Sequence, residues 1–199
     1  MQCDHLLVIA GPTCAGKTTL IDRFRAGNLP SFSETLHIEH PSRWKAVTAI
    51  DMEIYSEPEV DHLILHYDIV YRLRSIRHYR EDHTLSVLVA AKKINLITLW
   101  ATPEILISRL KSRRTQVIRE SLISMRPFRI YGALHRWRNI SSLLFKLNNT
   151  PEYIESVYDN WFDYCEEIET DSHWLINCLE KDPVLHPLSH RLQLSIKKL

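Results

Sequence analysis

Residues 6–18 read Leu-Leu-Val-Ile-Ala-Gly-Pro-Thr-Cys-Ala-Gly-Lys-Thr, and the expected architecture follows from this stretch. Its apolar run, residues 6–10, is typical of a strand that is buried on both faces of a parallel sheet. Gly11 and Gly16 are two of only four glycines in the 199-residue chain, which indicates positions where the backbone needs unusual freedom. A helical pattern follows over residues 17–25. The sequence therefore predicts a strand, a glycine loop and a helix in succession.

Residues 11–18 match the pattern GxxxxGK[ST], the P-loop or Walker A motif, at every fixed position. In such a loop the backbone N–H groups and the helix N-terminus bind phosphates, the lysine reaches the β and γ phosphates, and the final hydroxyl binds Mg²⁺. We therefore expect ATP and Mg²⁺ as cofactors, with Lys17 in a catalytic role and Thr18 as a metal ligand. The expected nucleotide-binding residues are Gly11, Pro12, Thr13, Cys14, Ala15, Gly16, Lys17, Thr18 and Thr19.

A P-loop also needs a carboxylate at the end of a neighbouring strand to hold Mg²⁺, directly or through water. Asp68 directly follows the apolar segment 60–67 and is placed for this role. We expect Asp68 to be a metal ligand and a catalytic residue. A turn residue at the end of a strand is the alternative interpretation.

The rest of the chain alternates strand and helix patterns. The predicted strands are 6–10, 35–39, 60–67, 94–101 and 172–179. Helices are predicted over 17–25, 79–93, 103–112 and 153–168, with two more within 120–147 that are interrupted at Pro127 and Gly132. From Pro183 we expect a peripheral helix or an ordered arm. Strands separated by helices predict a doubly wound α/β fold with a parallel five-stranded sheet, in a single domain over residues 1–199.

Residues 94–113 add a second recognisable pattern after the phosphate loop. A strand is followed by Thr102-Pro103-Glu104, which is a helix-start signal, and then by Arg109-Leu110-Lys111-Ser112-Arg113, which reads RLxxR. With the phosphate loop, this segment resembles the P-loop small-molecule kinases, the superfamily of nucleoside monophosphate, shikimate and gluconate kinases. The resemblance implies a three-layer fold with strand order 2-3-1-4-5, ATP as the donor, and a mobile lid over about residues 113–130.

The glycine loop alone does not separate the families within this group. Gly-Pro-Thr-x-x-Gly-Lys-Thr is similar to the loop of tRNA dimethylallyltransferases, and Gly-Pro-[ST] also opens the loop of guanylate kinases. Neither family's next motif follows downstream. The acceptor therefore stays open.

The polar and aromatic segment 39–59 is the expected acceptor side, because acceptors bind there in the kinases that the chain resembles. Many of those kinases hold an aspartate at the end of strand two that accepts the proton of the acceptor hydroxyl, and we expect Glu39 in that catalytic role. A helix-capping or ion-paired Glu39 is the alternative. Arg43 could bind an acidic or phosphorylated acceptor. If Glu39 is not the base, the remaining candidates are Asp51, Glu53 and Asp68.

Residues 109–138 carry nine Lys or Arg side chains and a single acid, Glu120. Guanidinium groups suit the charge that spreads over phosphate oxygens during transfer. We expect Arg113 and Arg119 to be catalytic residues that contact the nucleotide from the lid, with Arg126 next in order. A basic surface that pairs with the acidic face of the helix at 152–167 is the alternative for any one arginine.

The overall composition excludes several classes of protein. The chain has 25 Lys and Arg against 24 Asp and Glu, a formal net charge of +1, which argues against a general nucleic-acid binder. The first apolar run is too short for a signal or membrane segment, so we expect a soluble cytoplasmic protein that does not bind membranes. The four cysteines lie far apart with no CxxC pair, which argues against a zinc knuckle or a disulfide framework.

Together these patterns favour ATP- and Mg²⁺-dependent phosphorylation of a small polar metabolite, such as a sugar, a nucleoside or their phosphate. Another group transfer on the same architecture, by a sulfotransferase or a prenyltransferase, is the first alternative. The second alternative is a nucleotide-binding protein with slow hydrolysis. The sequence does not specify the acceptor or the oligomeric state.

Overall fold

The computed structural model describes residues 2–48, 59–70, 81–82, 91–124, 127–180 and 182–188. The strands are β1 Gln2–Gly11, β2 Lys45–Thr48, β3 Glu59–Asp68, β4 Lys93–Trp100, β5 Ser172–Asn177 and β6 His186–Pro187. The helices are α1 Lys17–Arg25, α2 Pro30–Thr35, α3 Pro103–Ser124, α4 Pro127–Asn149 and α5 Glu152–Glu166, with a 3₁₀ turn at Pro41–Arg43.

The described strands form one mixed sheet in the order β2-β3-β1-β4-β5-β6. All neighbours from β2 to β5 pair in parallel, and β6 pairs antiparallel with β5. The predicted α/β class is therefore confirmed, whereas the sheet is mixed and has six described strands instead of the five parallel strands predicted. The antiparallel β6 was not predicted, because its two residues lie in the segment after Pro183 for which we expected a helix or an arm.

Side chains that alternate along β1 enter two different hydrophobic clusters. Leu6 and Val8 pack in the cluster that includes Leu106 of α3 and Trp161 of α5. Leu7 and Ile9 pack in the cluster that includes Phe24 of α1 and Phe32 of α2. Because successive strand residues point to opposite faces, the sheet is covered by helices on both faces. This explains why residues 6–10 are apolar without a polar interruption.

The prediction of a strand at 35–39 is wrong. Pro30 begins the short helix α2, which ends at Thr35, and Leu36 and Ile38 are buried beyond its end. The alternation of apolar and polar residues that suggested a strand arises instead from a turn, in which His37 has a φ of 53°. The second strand of the sheet is β2, Lys45–Thr48, which follows the 3₁₀ turn.

The predicted breaks in the helical region are also wrong at two places. Helix α3 continues past residue 112 to Ser124, because Leu110 and Val117 keep the helix packed on the core. Gly132 lies inside α4, where the roughly 1 kcal/mol disadvantage of glycine is outweighed by packing. Pro127 begins α4, as a proline at a helix start does. Of the helix predicted over 79–93, the structure describes only 81–82 and 91–93.

The apolar stripe predicted from residue 153 onward is confirmed as the buried face of α5. Tyr158 on this face also has a polar role. Its Oη donates to the Leu99 carbonyl at 2.9 Å and accepts from the Ala101 N–H at 3.0 Å, so it satisfies the backbone where β4 ends. Among the described helices, none combines the length and the apolar content that crossing a bilayer would require.

Candidate active site

The glycine loop joins β1 to α1 through a series of residues in left-handed conformations. Cys14 has a φ of 67° and Gly16 a φ of 107°, and the Ala15 N–H donates to the Pro12 carbonyl at 3.1 Å. Gly16 is the N-cap of α1, and no side chain caps the helix. The first turn of α1 contains no acidic residue either. The amides at this helix start are therefore placed to bind an anion.

Gly11 stands where the loop passes closest to β4. Its φ is 156°, and a Cβ at this position would lie 3.0 Å from the Leu99 carbonyl oxygen and 3.1 Å from the Leu99 Cβ. Displacing the backbone and the side chain of a buried strand residue would cost free energy, because the interior is close-packed. The space between β1 and β4 therefore explains the glycine at position 11.

We expect Gly11→Ala to lower the free energy of unfolding by about 2 kcal/mol or more, because the substitution adds both backbone strain and a clash. Gly132→Ala is the matched control. A Cβ at Gly132 meets nothing within 4 Å, and the position is helical, so this variant should raise stability by about 0.5–1 kcal/mol. Urea denaturation of both variants measures the two effects. Equal and small effects at both glycines would contradict the close approach described for Gly11.

Lys17 is nearly buried, with 3% of its surface exposed. Its Nζ donates to the carbonyl oxygens of Gly11 and Pro12, both at 2.8 Å, and lies 3.2 Å from Asp68 Oδ2. A charge in such a place must be paired and hydrogen-bonded, and Lys17 meets both conditions. The loop thus holds a cation directly beside the helix start.

Asp68 ends β3 next to the end of β1, since the sheet register pairs it with Gly11. Its Oδ2 accepts from Thr13 Oγ1 at 2.7 Å as well as from Lys17, and its Oδ1 accepts from the Val70 N–H at 3.1 Å. The structure therefore brings together Lys17, Thr13 and Asp68, three of the residues predicted from the sequence.

A cavity of about 990 Å³ opens at this loop. The predicted residues that line it are Thr13, Cys14, Ala15, Gly16, Lys17, Thr18, Thr19, Asp68 and Arg113. Gly11 and Pro12 contribute carbonyl oxygens to Lys17 instead. Arg119 is exposed on α3 and does not line the cavity. Arg126 lies outside the described residues.

The cavity also has polar walls formed by residues that are not among the predicted site residues. They come from α1, from the end of β3, from α4 and from the end of β5, and include Arg23, His66, His135, Arg136, Asn139 and Asn177. His135, Arg136 and Asn139 share one side of α4 at helical spacing, which was a readable signal. These residues lie far from the glycine loop in the sequence, so the sequence did not indicate that they line the same cavity. Only the packing of α4 brings them close to the loop.

Arg109, the first arginine of the RLxxR pattern, fixes the loop from the side. Its Nη1 donates to the Ala15 carbonyl at 2.9 Å, and its Nη2 donates to the Cys178 carbonyl at 3.2 Å. The Cys178 thiol also donates to the Ala15 carbonyl, at 3.3 Å. Burial raises the pKa of both the Cys14 and the Cys178 thiols, so both stay protonated at neutral pH. Arg109 therefore joins the glycine loop to the end of β5.

The stretch expected to form a lid, about residues 113–130, belongs to two helices where it is described. Residues 113–124 continue α3, and 127–130 begin α4. Arg113 reaches the cavity from this stretch, and its Nη1 donates to Gln116 Oε1 at 2.7 Å. The basic side chains that face the cavity are thus presented from helices.

The expectation that Glu39 ends a strand beside Asp68 is wrong. Glu39 is exposed on the connection before the 3₁₀ turn, and it lines a different cavity together with His5 and His62. His5 lies six residues before Gly11 on β1, a separation of about 20 Å along a strand. Glu39 is therefore at the opposite end of the sheet from the glycine loop and does not serve as a base there. Asp51 and Glu53 lie outside the described residues.

His66 lines the main cavity two residues before Asp68. Burial, followed by the positive charge of Lys17, lowers its pKa to about 4. The imidazole is therefore neutral at neutral pH and too weakly basic to hold a proton there. Burial likewise lowers the pKa of His5 and of His173 to about 4.

These three histidines predict that the protein loses stability in acid. In the unfolded chain each imidazole takes up a proton near pH 6.5, whereas in the folded protein it does so only near pH 4. The free energy of unfolding should therefore fall as the pH is lowered from about 6.5 to 4. Urea denaturation between pH 7.5 and 4 measures this, and His173→Gln should make the dependence shallower. A midpoint that is constant over this range would contradict the pKa values.

No protein-family model, no curated protein and no solved structure matches the chain. The features that bear on function are therefore the glycine loop, the groups that surround it and the cavity that it opens into.

Proposed function

We propose that this protein is an ATP- and Mg²⁺-dependent phosphotransferase of the P-loop kinase kind, which phosphorylates a small polar metabolite. One observation carries the proposal: Lys17, Asp68 and the uncapped start of α1 converge on one loop at the mouth of a 990 Å³ cavity. A cavity of this volume can take a nucleotide together with a small acceptor. The order of the parallel strands, β2-β3-β1-β4-β5, supports the further proposal of a three-layer P-loop kinase fold.

The loop fits the phosphates of a nucleotide. Around Gly16 the nearest atom to a Cβ would be Arg109 Nη1 at 3.9 Å, so the backbone there is open to a close approach. The amides at the start of α1 have no side-chain cap that would compete with an anion. Lys17 adds a full positive charge beside them. In this proposal phosphate oxygens take the place of the loop carbonyls as partners of Lys17.

The residues present also fit Mg²⁺, which in such sites is held by one or two protein oxygens and by the phosphates of the substrate. Thr18 is exposed at the first turn of α1 and Asp68 lines the same cavity, so these two would hold the ion. Bound there, Mg²⁺ would neutralise charge on the phosphates during transfer. Thr13 donates to Asp68 Oδ2 and so restricts the orientation of its carboxylate.

Further cations surround the position proposed for the phosphates. Arg113 reaches the cavity from α3 and Arg136 from α4, and guanidinium groups suit the equatorial oxygens of a transferring phosphoryl group. Among the described cavity residues the carboxylates are Asp68 and Glu180, and Glu180 pairs with His186 at 3.1 Å. Asp68 is therefore the described carboxylate that could orient an acceptor hydroxyl as well as the metal.

The test is to incubate the protein with Mg²⁺, ATP and a defined pool of sugars, nucleosides and their monophosphates, and to follow the pool by mass spectrometry. We expect one class of acceptor to gain a phosphoryl group while ATP becomes ADP. A different adduct would favour the sulfotransferase or prenyltransferase alternative once the corresponding donor is supplied. Conversion of ATP to ADP with no change in the pool would favour slow hydrolysis instead of transfer.

A further inference from the structure

A second cavity, of about 630 Å³, lies at the other end of the sheet from the glycine loop. His5 of β1 and His62 of β3 line it near the amino ends of their strands, and the 3₁₀ turn contributes Arg43 and leads into Trp44. The proposed phosphotransferase activity makes no use of this cavity. Its size is within the range of sites for small molecules.

A chain of hydrogen bonds through the sheet fixes the orientation of His5. Trp174 Nε1 can only donate, and it donates to Ser172 Oγ at 2.9 Å. Ser172 Oγ in turn donates to Asn95 Oδ1 at 2.5 Å, which leaves the amide nitrogen of Asn95 facing His5 Nε2 at 2.6 Å. With the Asn95 amide in this orientation, His5 Nε2 accepts, and the proton of the neutral imidazole lies on Nδ1.

The Nδ1–H of His5 is a hydrogen-bond donor that has no acceptor among the described residues. Only 8% of the residue is exposed, and no group of the described residues accepts from Nδ1. Within the described part of the chain, Ser141 Oγ is the only fully buried side-chain polar atom that lacks a partner. Nδ1 therefore keeps some exposed surface, and His5 is one of the residues that line the cavity.

Trp44 offers a second donor of the same kind. It is 3% exposed, and its ring centroid lies 5.1 Å from that of the stacked His62 ring and 4.6 Å from that of the His5 ring, which is inclined to it at 70°. Its Nε1–H has no acceptor among the described residues and, like His5 Nδ1, is not fully buried. Two residues that line one cavity thus each carry an N–H donor that has no acceptor among the described residues. A ligand with oxygen acceptors would satisfy both.

The charged groups around these donors have both signs. Arg43 and Lys45 are cationic, while Glu39 and Asp61 are acidic, and all four line the cavity. Arg43 makes no ion pair with the described residues, so it can receive an anionic oxygen. The two carboxylates are acceptors, and they would suit hydroxyl groups on the same ligand. Two further imidazoles, His37 and His40, complete the polar wall.

We propose that this cavity is a second binding site, which takes a small organic acid with hydroxyl groups, its carboxylate or phosphate oxygens bound by His5, Trp44 and Arg43. The acid group accepts from the two ring N–H donors and from the guanidinium, and the hydroxyl groups donate to Glu39 and Asp61. The proposal does not depend on the function of the glycine loop.

The test is calorimetric titration of the whole protein, in buffer without Mg²⁺, with citrate and with glycerol 3-phosphate. We expect at least one of them to bind, and Arg43→Gln and Trp44→Phe each to weaken its binding by about tenfold. Arg43 is exposed, so its variant should fold normally. Arg25→Gln, an exposed arginine of α1, is the matched control and should bind as the unaltered protein does.

Lys17→Met distinguishes this site from the phosphate loop, where an acid could also bind. Binding that survives in Lys17→Met and weakens in Arg43→Gln supports the second site. The resonance of His5 Nδ1–H in spectra of ¹⁵N-histidine-labelled protein should also shift when the acid is added. Failure of both acids to bind, or binding that Lys17→Met abolishes and Arg43→Gln leaves unchanged, would overturn the proposal.

Discussion

Lys17→Met should lower phosphoryl transfer by on the order of 10²-fold or more while the protein stays folded. The substitution keeps the length of the apolar side chain but removes the cation that lies beside the start of α1. Developing charge on the phosphates would then lose its nearest neutralising group. The expected result is measured as transfer rate at saturating ATP, once the acceptor has been identified.

The structure explains why this variant should still fold. The Asp68 carboxylate keeps its hydrogen bonds from Thr13 Oγ1 and from the Val70 N–H when Lys17 is lost. Thermal unfolding checks that the fold is retained. Lys111→Met is the matched control, because Lys111 is exposed on α3 and its substitution should leave transfer unchanged. Full activity in Lys17→Met would contradict the kinase proposal.

The sequence predicted best the features that depend on local pattern. The apolar run 6–10, the glycine loop and the helix after it depend on neighbouring residues, and the structure has all three. The helix-start signal Thr102-Pro103-Glu104 is also local, and α3 begins at Pro103. The pKa of Glu104 is lowered by a hydrogen bond from the Thr102 hydroxyl and by one from the backbone N–H of Glu104 itself, as expected for an acid in a first helical turn.

The errors arose where the same pattern fits two structures. Thr-Leu-His-Ile-Glu at 35–39 alternates as a strand does, but the proline at position 30 had already started a helix that ends in a turn. Because of this error, Glu39 was expected at the end of the sheet that carries the glycine loop. The end of the sheet at which a residue lies depends on where its strand begins and ends. The predicted break at Gly132 is wrong for another reason: the cost of a glycine in a helix is local, whereas the packing of α4 that outweighs this cost involves residues distant in sequence.

Local sequence patterns do not predict contacts between segments that are distant in the sequence. Arg109 was one basic residue among many, and only the structure places its guanidinium between the Ala15 and Cys178 carbonyls. The polar chain from Trp174 to His5 likewise crosses β5, β4 and β1, and β1 and β4 are neighbours in the sheet although β2 and β3 lie between them in the sequence. Such contacts can be argued only after the strand order is known.

Asp68→Asn is expected to lower transfer by on the order of 10²-fold and to raise the Mg²⁺ concentration needed for half-maximal activity. The amide is neutral, and it is a poorer ligand for a hard cation than a carboxylate. Its one oxygen can still accept from Thr13 and Lys17, but its NH₂ group replaces the oxygen that accepts from the Val70 N–H, so that hydrogen bond is lost. Glu155→Gln, at an exposed position on α5, is the control for the loss of one negative charge.

A titration of transfer rate against Mg²⁺ separates a metal ligand from a residue that only holds the loop together. Thr13→Val removes the hydroxyl that donates to Asp68 and leaves the carboxylate in place, so it should reduce the rate far less than Asp68→Asn. If Asp68 acts only through Lys17 and Thr13, the two variants should instead have similar transfer rates. Both should then show the same Mg²⁺ dependence as the unaltered protein. That result would assign Asp68 to the structure of the loop, and the Mg²⁺ ligand would then have to come from another residue.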